Sequence, residues 1–439
     1  MKKKMHLVGF MLHCPMNHTI LSWAHPWDKV GYRWTEPEFW QEIARTLERG
    51  RFDCLFLADQ LAAFDVYQGS MDATLRYATQ FPIHDALLVV PAMSVVAERL
   101  GFAVTATTTY YAPYLLARKL STLDHLTKGR IGWNVVTSVH NNEARNCGLP
   151  AMLPHQERYE RAQEFMEVCY KLWDSWEPDA VVMDKERGVF ADPTKVHRIN
   201  HKGKYFDVPG PHCCAPSPQG RPVIIQAGAS EQGRDFAAQH AEYVFGIQLR
   251  PDAMRAFSED VRQRAVKKYG RKPEDFKIIF GIQVILGQTE DEAKAKQKVL
   301  NDQVPLDAAL AILSGHMGFD FSRLDPDQPL EHLKVEGVQG LLDALTVMLG
   351  KKQLTLREGA LMHGRSVSMP QVVGTPEQVA DQMEYLMREG GGDGFQITPT
   401  YAPGSFQEIV DGLVPVLQKR GLHRTEYSGK TLREHLQEY

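Results

Sequence analysis

Eight runs of apolar, β-branched and aromatic residues punctuate the chain, at 5–12, 52–58, 102–107, 131–137, 222–227, 243–247, 276–284 and 395–398. They are too continuously apolar for strands with one face in water, and so read as parallel strands covered by helices. Between them the period lengthens to that of amphipathic helices, at 36–49, 86–100, 114–127, 156–176, 231–240, 253–268 and 376–389, with a last one at 406–420. Eight strands alternating with eight helices predict an α/β protein, the (β/α)8 TIM barrel. A doubly wound open sheet gives the same alternation, because periodicity does not register closure. The segment 101–138 is the clearest βαβ unit: its helix is expected to begin near Pro113 and to end at Gly129, where a missing Cβ permits a left-handed cap.

Interruptions of this rhythm are expected after strands 1, 2, 4 and 7. Segments 13–35, 60–85 and 139–155 are long and follow strands, which puts them at the carboxyl ends where α/β barrels bind ligands. Segment 179–221 lacks a helical period and predicts a small hairpin and covering loop. Segment 289–372 is the largest insertion and mostly helical. The expected organisation is one barrel domain over 1–426 with these insertions, followed by a polar, charged surface arm at 427–439. Thr105, Thr107, Asn134, Thr137 and Ser138 would meet at strand ends.

Composition narrows the ligand class. The 439 residues are 43% hydrophobic and 24% charged, with a net charge of −4 and no concentrated basic stretch, so a small molecule is expected rather than nucleic acid. The apolar runs fall short of the roughly 20 residues that span a bilayer. The lysines at the start are followed by a run broken by His6, His13 and Pro15, so no export signal and a cytoplasmic location are expected. Six cysteines form no CxxC pair, and neither zinc nor disulfides are predicted.

Two places suit an anion. His155 and Tyr159 lie four apart at a predicted helix start. In PVIIQAGASEQG a buried strand turns through Gly228, and Ser230 then opens a helix as its N-cap, where free backbone N–H groups favour a phosphate. Without a Walker or GxGxxG pattern, a flavin mononucleotide fits better than a triphosphate or dinucleotide.

The motifs FDCLFLAD (ending in Asp59), RKLSTLDHLTKGRIGWNVVTS, HQERY and PSPQGRPVIIQAGAS together resemble the flavin-dependent monooxygenases of the bacterial luciferase superfamily. The resemblance is to the branch of nitrilotriacetate, dibenzothiophene-sulfone and long-chain alkane monooxygenases, and it runs over nearly the whole chain. It implies a homodimer or homotetramer that takes reduced FMN from a separate NAD(P)H:flavin reductase and reacts it with O2. It further implies that Asp59, Thr105, His155, Tyr159, Ala229 and Ser230 contact FMN, with Asn134 and Thr137 beside its ring. Such a site needs hydrogen-bond donors in an apolar, closable cavity. The resemblance assigns this to His18, Asn134 and His316, with Cys14, Phe56, Phe64, Gln80 and Phe245 in the substrate pocket. Phe64 and Val139 stand where the alkane branch has a tyrosine and a histidine, so two of its catalytic contacts are expected to be missing.

Trp23, Phe64, Tyr67, Tyr110 and Met317 point to an apolar substrate, heteroaromatic or organosulfur, with C–S or C–N cleavage among the outcomes. The alternatives are degradation of riboflavin with bound FMN, a deazaflavin-dependent reductase on the same barrel, or a flavin-binding protein without activity.

Overall fold

The computed structural model describes residues 3–330 and 354–439. Within them, eight parallel strands close into a barrel: β1 (His6–Leu12), β2 (Cys54–Ala58), β3 (Gly101–Thr107), β4 (Ile131–Val136), β5 (Val223–Gln226), β6 (Tyr243–Gly246), β7 (Lys277–Leu286) and β9 (Gly394–Thr398). Each pairs with the next, and β9 returns to β1 with His6 opposite Gly394, which closes the barrel. The open-sheet alternative is thereby excluded.

A ninth strand of this sheet, β8 (Gln371–Gly374), has no counterpart among the predicted runs. It lies at the end of the expected insertion and pairs with the upper half of β7, Gln283 opposite Gln371. β7 is ten residues long and outruns its barrel neighbours, so its exposed upper edge takes a partner.

Helices α1 (Pro37–Arg49), α2 (Ala86–Ser94), α3 (Pro113–Leu126), α4 (His155–Trp173), α5 (Glu231–His240), α6 (Pro251–Tyr269) and α10 (Pro376–Gly390) belong to the outer layer. The insertion after β7 holds α7 (Glu290–Asp302), α8 (Leu306–Met317) and α9 (Leu356–Ser366); residues 331–353 of that segment lie outside the described residues. Segment 179–221 forms two small hairpins rather than one.

Two helices end before their period does. α2 stops at Ser94, and in the turn beyond it the carbonyls of Ala97 and Leu100 accept from the buried Arg130 guanidinium at 2.7 Å each. α3 stops at Leu126, three residues short of Gly129, and both Lys128 and Gly129 take left-handed backbone in the turn that follows.

The tail is not a surface arm. Its helix α11 (Leu432–Gln437) lies across the amino-terminal end of the barrel, where Leu432 and Leu436 are buried in the inner core with Val8, Ala103 and Ile225. Gly101 makes room: a Cβ there would stand 2.7 Å from a Leu432 methyl. Below the strands, Asp53 accepts from Arg424 at 2.6 Å and from the Leu7 amide at 3.0 Å, and His6 Nδ1 lies 3.0 Å away. Both charges of the Asp53–Arg424 pair are fully buried, and the guanidinium holds the carboxyl well below the ordinary carboxylate range against the opposing cost of burial.

Candidate active site

The carboxyl ends of β1, β2, β4 and β5 open into a cavity of about 320 Å³, walled further by the loops after β1 and β2, the short helix Asn141–Asn146, α4 and α8. This is where side chains at strand ends in such barrels converge.

One side of the cavity is built for an anion. β5 turns at Gly228 into α5, and Ser230 Oγ accepts from the Gly233 amide at 3.1 Å, leaving other amides of the first turn free of a helical partner. Gly228 and Gly233 are pressed together: a Cβ on Gly228 would meet Gly233 Cα at 2.7 Å, and one on Gly233 would meet the Tyr159 hydroxyl at 3.0 Å. Only glycine at both positions lets the Tyr159 hydroxyl come down over the helix start. Gln226 Oε1 fixes the turn by accepting from the Gly228 amide at 2.6 Å. The His155 ring lies 5.1 Å from that of Tyr159, on the solvent side with Ala229 and Ser230.

The cavity floor is polar and incompletely paired. Asn134 points into the barrel one layer below Val136, because its neighbour Trp133 faces the helices. Its Nδ2 donates to Thr105 Oγ1 at 2.9 Å, while its Oδ1 is buried with no partner. Glu143 Oε1 accepts from the Leu61 amide at 2.8 Å, and Glu143 Oε2 and Arg158 Nε are likewise buried and unpartnered. Buried polar groups in native folds are nearly always paired, so the unpartnered Glu143 oxygen in the lining, with the Asn134 and Arg158 atoms behind lining residues, suits a ligand with complementary edges. Asp59 ends β2, and burial together with the nearby Asp85 charge pushes its carboxyl up to about 7. At neutral pH it can both donate and accept. Ser138, beyond β4, holds left-handed backbone at φ +55°.

The opposite wall is apolar and imidazole-rich. His18 stacks on Phe10 at 4.6 Å and accepts at Nδ1 from Gln80 at 2.6 Å. His316 packs edge-on against Phe64 at 5.2 Å, and Phe64 also meets His140 at 5.5 Å. Behind the wall, His316 Nδ1 lies 2.8 Å from His363 Nε2, and His363 Nδ1 lies 2.8 Å from Ser368 Oγ. Burial lowers all four imidazoles: His18 to about 3, His363 to about 4, His316 well below its usual value, and His140 against the opposing charges of Glu143 and Asp65. At neutral pH the wall is uncharged. Among the described residues no Lys or Arg lines the cavity, and no group of His, Cys, Asp and Glu is placed to hold a metal.

Of the residues singled out from the sequence, His18, Asp59, Gln80, Thr137, Ser138, Val139, Tyr159 and His316 line this cavity. Thr105 lines a small crevice that also touches Asp59, and Asn134 sits beside it. His155, Ala229 and Ser230 form the outer rim. Four expected pocket residues do not reach the lining. Phe56 and Phe245 face the barrel core and pack with Phe10 at 5.4 and 6.0 Å, so they support His18 from below. Phe64 buttresses His316 from behind. Cys14 is buried with its thiol bonded to the Met16 carbonyl, and burial pushes that thiol up to about 12. The expected loss of an imidazole at Val139 is offset next door, since His140 joins the wall while the Val139 side chain is 62% exposed.

Glu143, His140, His363 and Ser368 escaped the sequence reading. No periodicity or spacing marks them, and only the polar run after β4 pointed near the first two.

The chain matches the luciferase-like monooxygenase family over residues 17–394. It is 44% identical over 437 residues to the long-chain alkane monooxygenase of Geobacillus thermodenitrificans, covering 99% of this chain and 94% of that one. It is also 44% identical to the dimethyl-sulfide monooxygenase of Hyphomicrobium sulfonivorans, covering 99% and 91%. Its fold superposes on the crystal structure of a riboflavin lyase with modified FMN and riboflavin at a TM-score of 0.91 and 33% identity, covering 100% and 96%.

Proposed function

The chain belongs to the luciferase-like monooxygenase family, and from that premise we propose that it is the oxygenating half of a two-component system. In this reading a separate NAD(P)H:flavin reductase supplies reduced FMN, and the enzyme works in the cytoplasm as a homodimer or homotetramer. Bound reduced FMN supplies two electrons, so that one atom of O2 enters the substrate and the other leaves as water.

The observation that carries the reading is the division of one cavity into an anion cradle and an uncharged imidazole wall. The Ser230 hydroxyl, the first-turn amides of α5 and the Tyr159 hydroxyl suit the FMN phosphate, with His155 at the rim. The flavin ring system has donor and acceptor edges, which suit the unpartnered Asn134 Oδ1 and a protonated Asp59, with Thr105 and Thr137 alongside. His18 and His316 then face the remaining space as neutral hydrogen-bond groups in an apolar surround that keeps water out.

A lining that among the described residues holds carboxyls but no Lys or Arg disfavours a polyacid and favours an apolar substrate of the heteroaromatic or organosulfur class, including oxygenation that ends in C–S or C–N cleavage. Likeness to the riboflavin lyase supports riboflavin as a second candidate. Against it stands the cavity, whose 320 Å³ lies at the small end for ligand pockets and would have to take two flavin rings.

The test is anaerobic loading with reduced FMN followed by mixing with O2 in a stopped-flow spectrometer. Slowed flavin reoxidation with delayed hydrogen peroxide release supports the reading, and organosulfur or heteroaromatic compounds are then screened for faster turnover. Reoxidation at the rate of free reduced FMN overturns it in favour of a flavin-binding protein or a reductase. Consumption of riboflavin under the same conditions selects the second substrate.

A further inference from the structure

We infer that Ser368 and His363 are positioning residues that lock His316 in the tautomer carrying its proton on Nε2, so that this imidazole meets the cavity as a hydrogen-bond donor. Ser368 is buried, and among the described residues its hydroxyl has a single hydrogen-bond partner, His363 Nδ1. If the hydroxyl only accepted, its own proton would be left unpaired in the core, at a cost of about 1–3 kcal/mol. It therefore donates to His363 Nδ1. A neutral imidazole has one N–H, so the His363 proton is on Nε2, and that N–H donates to His316 Nδ1 at 2.8 Å. His316 Nδ1 is then an acceptor, and the remaining proton sits on Nε2 of a ring that lines the cavity.

The backbone supports the assignment independently. Val367 and Ser368 both hold left-handed conformation, at φ +49° and +58°, directly after α9. Two consecutive non-glycine residues there are unfavourable by about 1–2 kcal/mol each, and such strain persists where the surroundings demand one geometry. Here it carries the Ser368 hydroxyl back to a ring on the preceding helical turn. His18, on the other side of the cavity, is treated in the same way: Gln80, itself at φ +52°, donates to its Nδ1 and leaves the proton on Nε2. Two unrelated loops thus present two imidazoles in one protonation pattern.

That His316 acts on an oxygen intermediate rests on the function proposed above, whereas its tautomer does not. The experiment separates them by using the full-length, ligand-free protein labelled with 15N in its histidine rings, with His316 assigned by its loss in H316Q. The wild type is expected to show a single Nε2–H tautomer for His316. His363→Gln keeps an amide donor at the same reach and should preserve that tautomer, whereas Ser368→Ala and His363→Leu should give a mixture. His316 carrying its proton on Nδ1 in the wild type, or an unchanged tautomer in H363L, overturns the inference. Should H363L fail to fold, S368A against H363Q makes the same comparison. With reduced FMN bound, H363L should release hydrogen peroxide about tenfold faster than the wild type, as expected for one misdirected hydrogen bond, and H363Q within about twofold. Equal peroxide release by all variants with the tautomers behaving as stated counts against the proposed function alone.

Discussion

The two ends of the barrel treat a carboxyl group in opposite ways, holding Asp53 ionised and pushing Asp59 toward its neutral form. At the amino-terminal end, Asp53 and Arg424 are fully buried ions in direct contact, backed by His6 and the Leu7 amide and sealed by α11. At the carboxyl end, buried groups are either stripped of charge, as with the four imidazoles and the raised Asp59 carboxyl, or left without partners, as with Asn134 Oδ1 and Glu143 Oε2. A paired ion is strongly destabilising to break but does nothing for a ligand. An unpartnered amide or a neutral imidazole stabilises the fold little and is available to whatever enters. The difference locates stability at one end and chemistry at the other.

Breaking the closed end should have the largest effect. Asp53→Ala leaves the buried Arg424 charge with Glu438, 3.3 Å away, as its one carboxylate partner among the described residues, and is expected to cost about 3 kcal/mol in urea unfolding, with most of the loss recovered in D53N/R424M. Because the Asp53 carboxyl is held below its ordinary value, its contribution is complete at neutral pH and is lost as the pH falls through that depressed value. The single variant should therefore lose the corresponding part of the acid limb of stability.

At the open end, Ser230→Ala combined with Tyr159→Phe should weaken FMN binding by about 10–100-fold, as for one or two hydrogen bonds to a charged group. Its effect on stability should stay near the 1 kcal/mol of a lost helix cap. A stability loss as large as that of D53A would erase the distinction between the ends.

Asp59→Asn tests the neutralised carboxyl. A folded-state value near 7 means that the folded protein binds the Asp59 proton more tightly than the unfolded chain between the ordinary carboxylate range and pH 7. Stability should therefore fall with rising pH across that window, and D59N should remove this share of the slope and be the more stable protein above pH 7. Asp28, half-buried and also pushed up to about 7 by desolvation, contributes its own slope and serves as the control. The smallest effect is expected for Val139→Ala, an exposed rim position, within about 0.5 kcal/mol of wild type by thermal melting.

The same asymmetry governed what the sequence revealed. Barrel strands are legible because burial on both faces forces unbroken apolar runs, and strand-end residues such as Asp59 and Thr137 follow from them. The tail is not, since its two aliphatic side chains, Leu432 and Leu436, stand four apart in an otherwise polar and aromatic segment. β8 is four residues long, too short for a period to show. Phe56 and Phe245 were recognised as aromatic walls, but alternation along their strands turns them into the core beneath the cavity. His363 and Ser368 matter through each other and through His316, and a hydrogen-bonded chain across two helices leaves no pattern in sequence.

The pairing of β8 with the overhang of β7 makes the insertion a cassette. The chain leaves the barrel after Leu286 and returns at Gln371, whose register partner is Gln283, only three residues before the point of departure. The Gln371 side chain ties that seam together, donating to Gln283 and accepting from Gln297 and Asn301 of α7. A module whose two ends are stapled to one strand can be exchanged without re-threading the scaffold. Transplanting 287–370 between relatives, with the seam residues kept, would swap the His316 wall and its supporting helices while the anion cradle stays where it is.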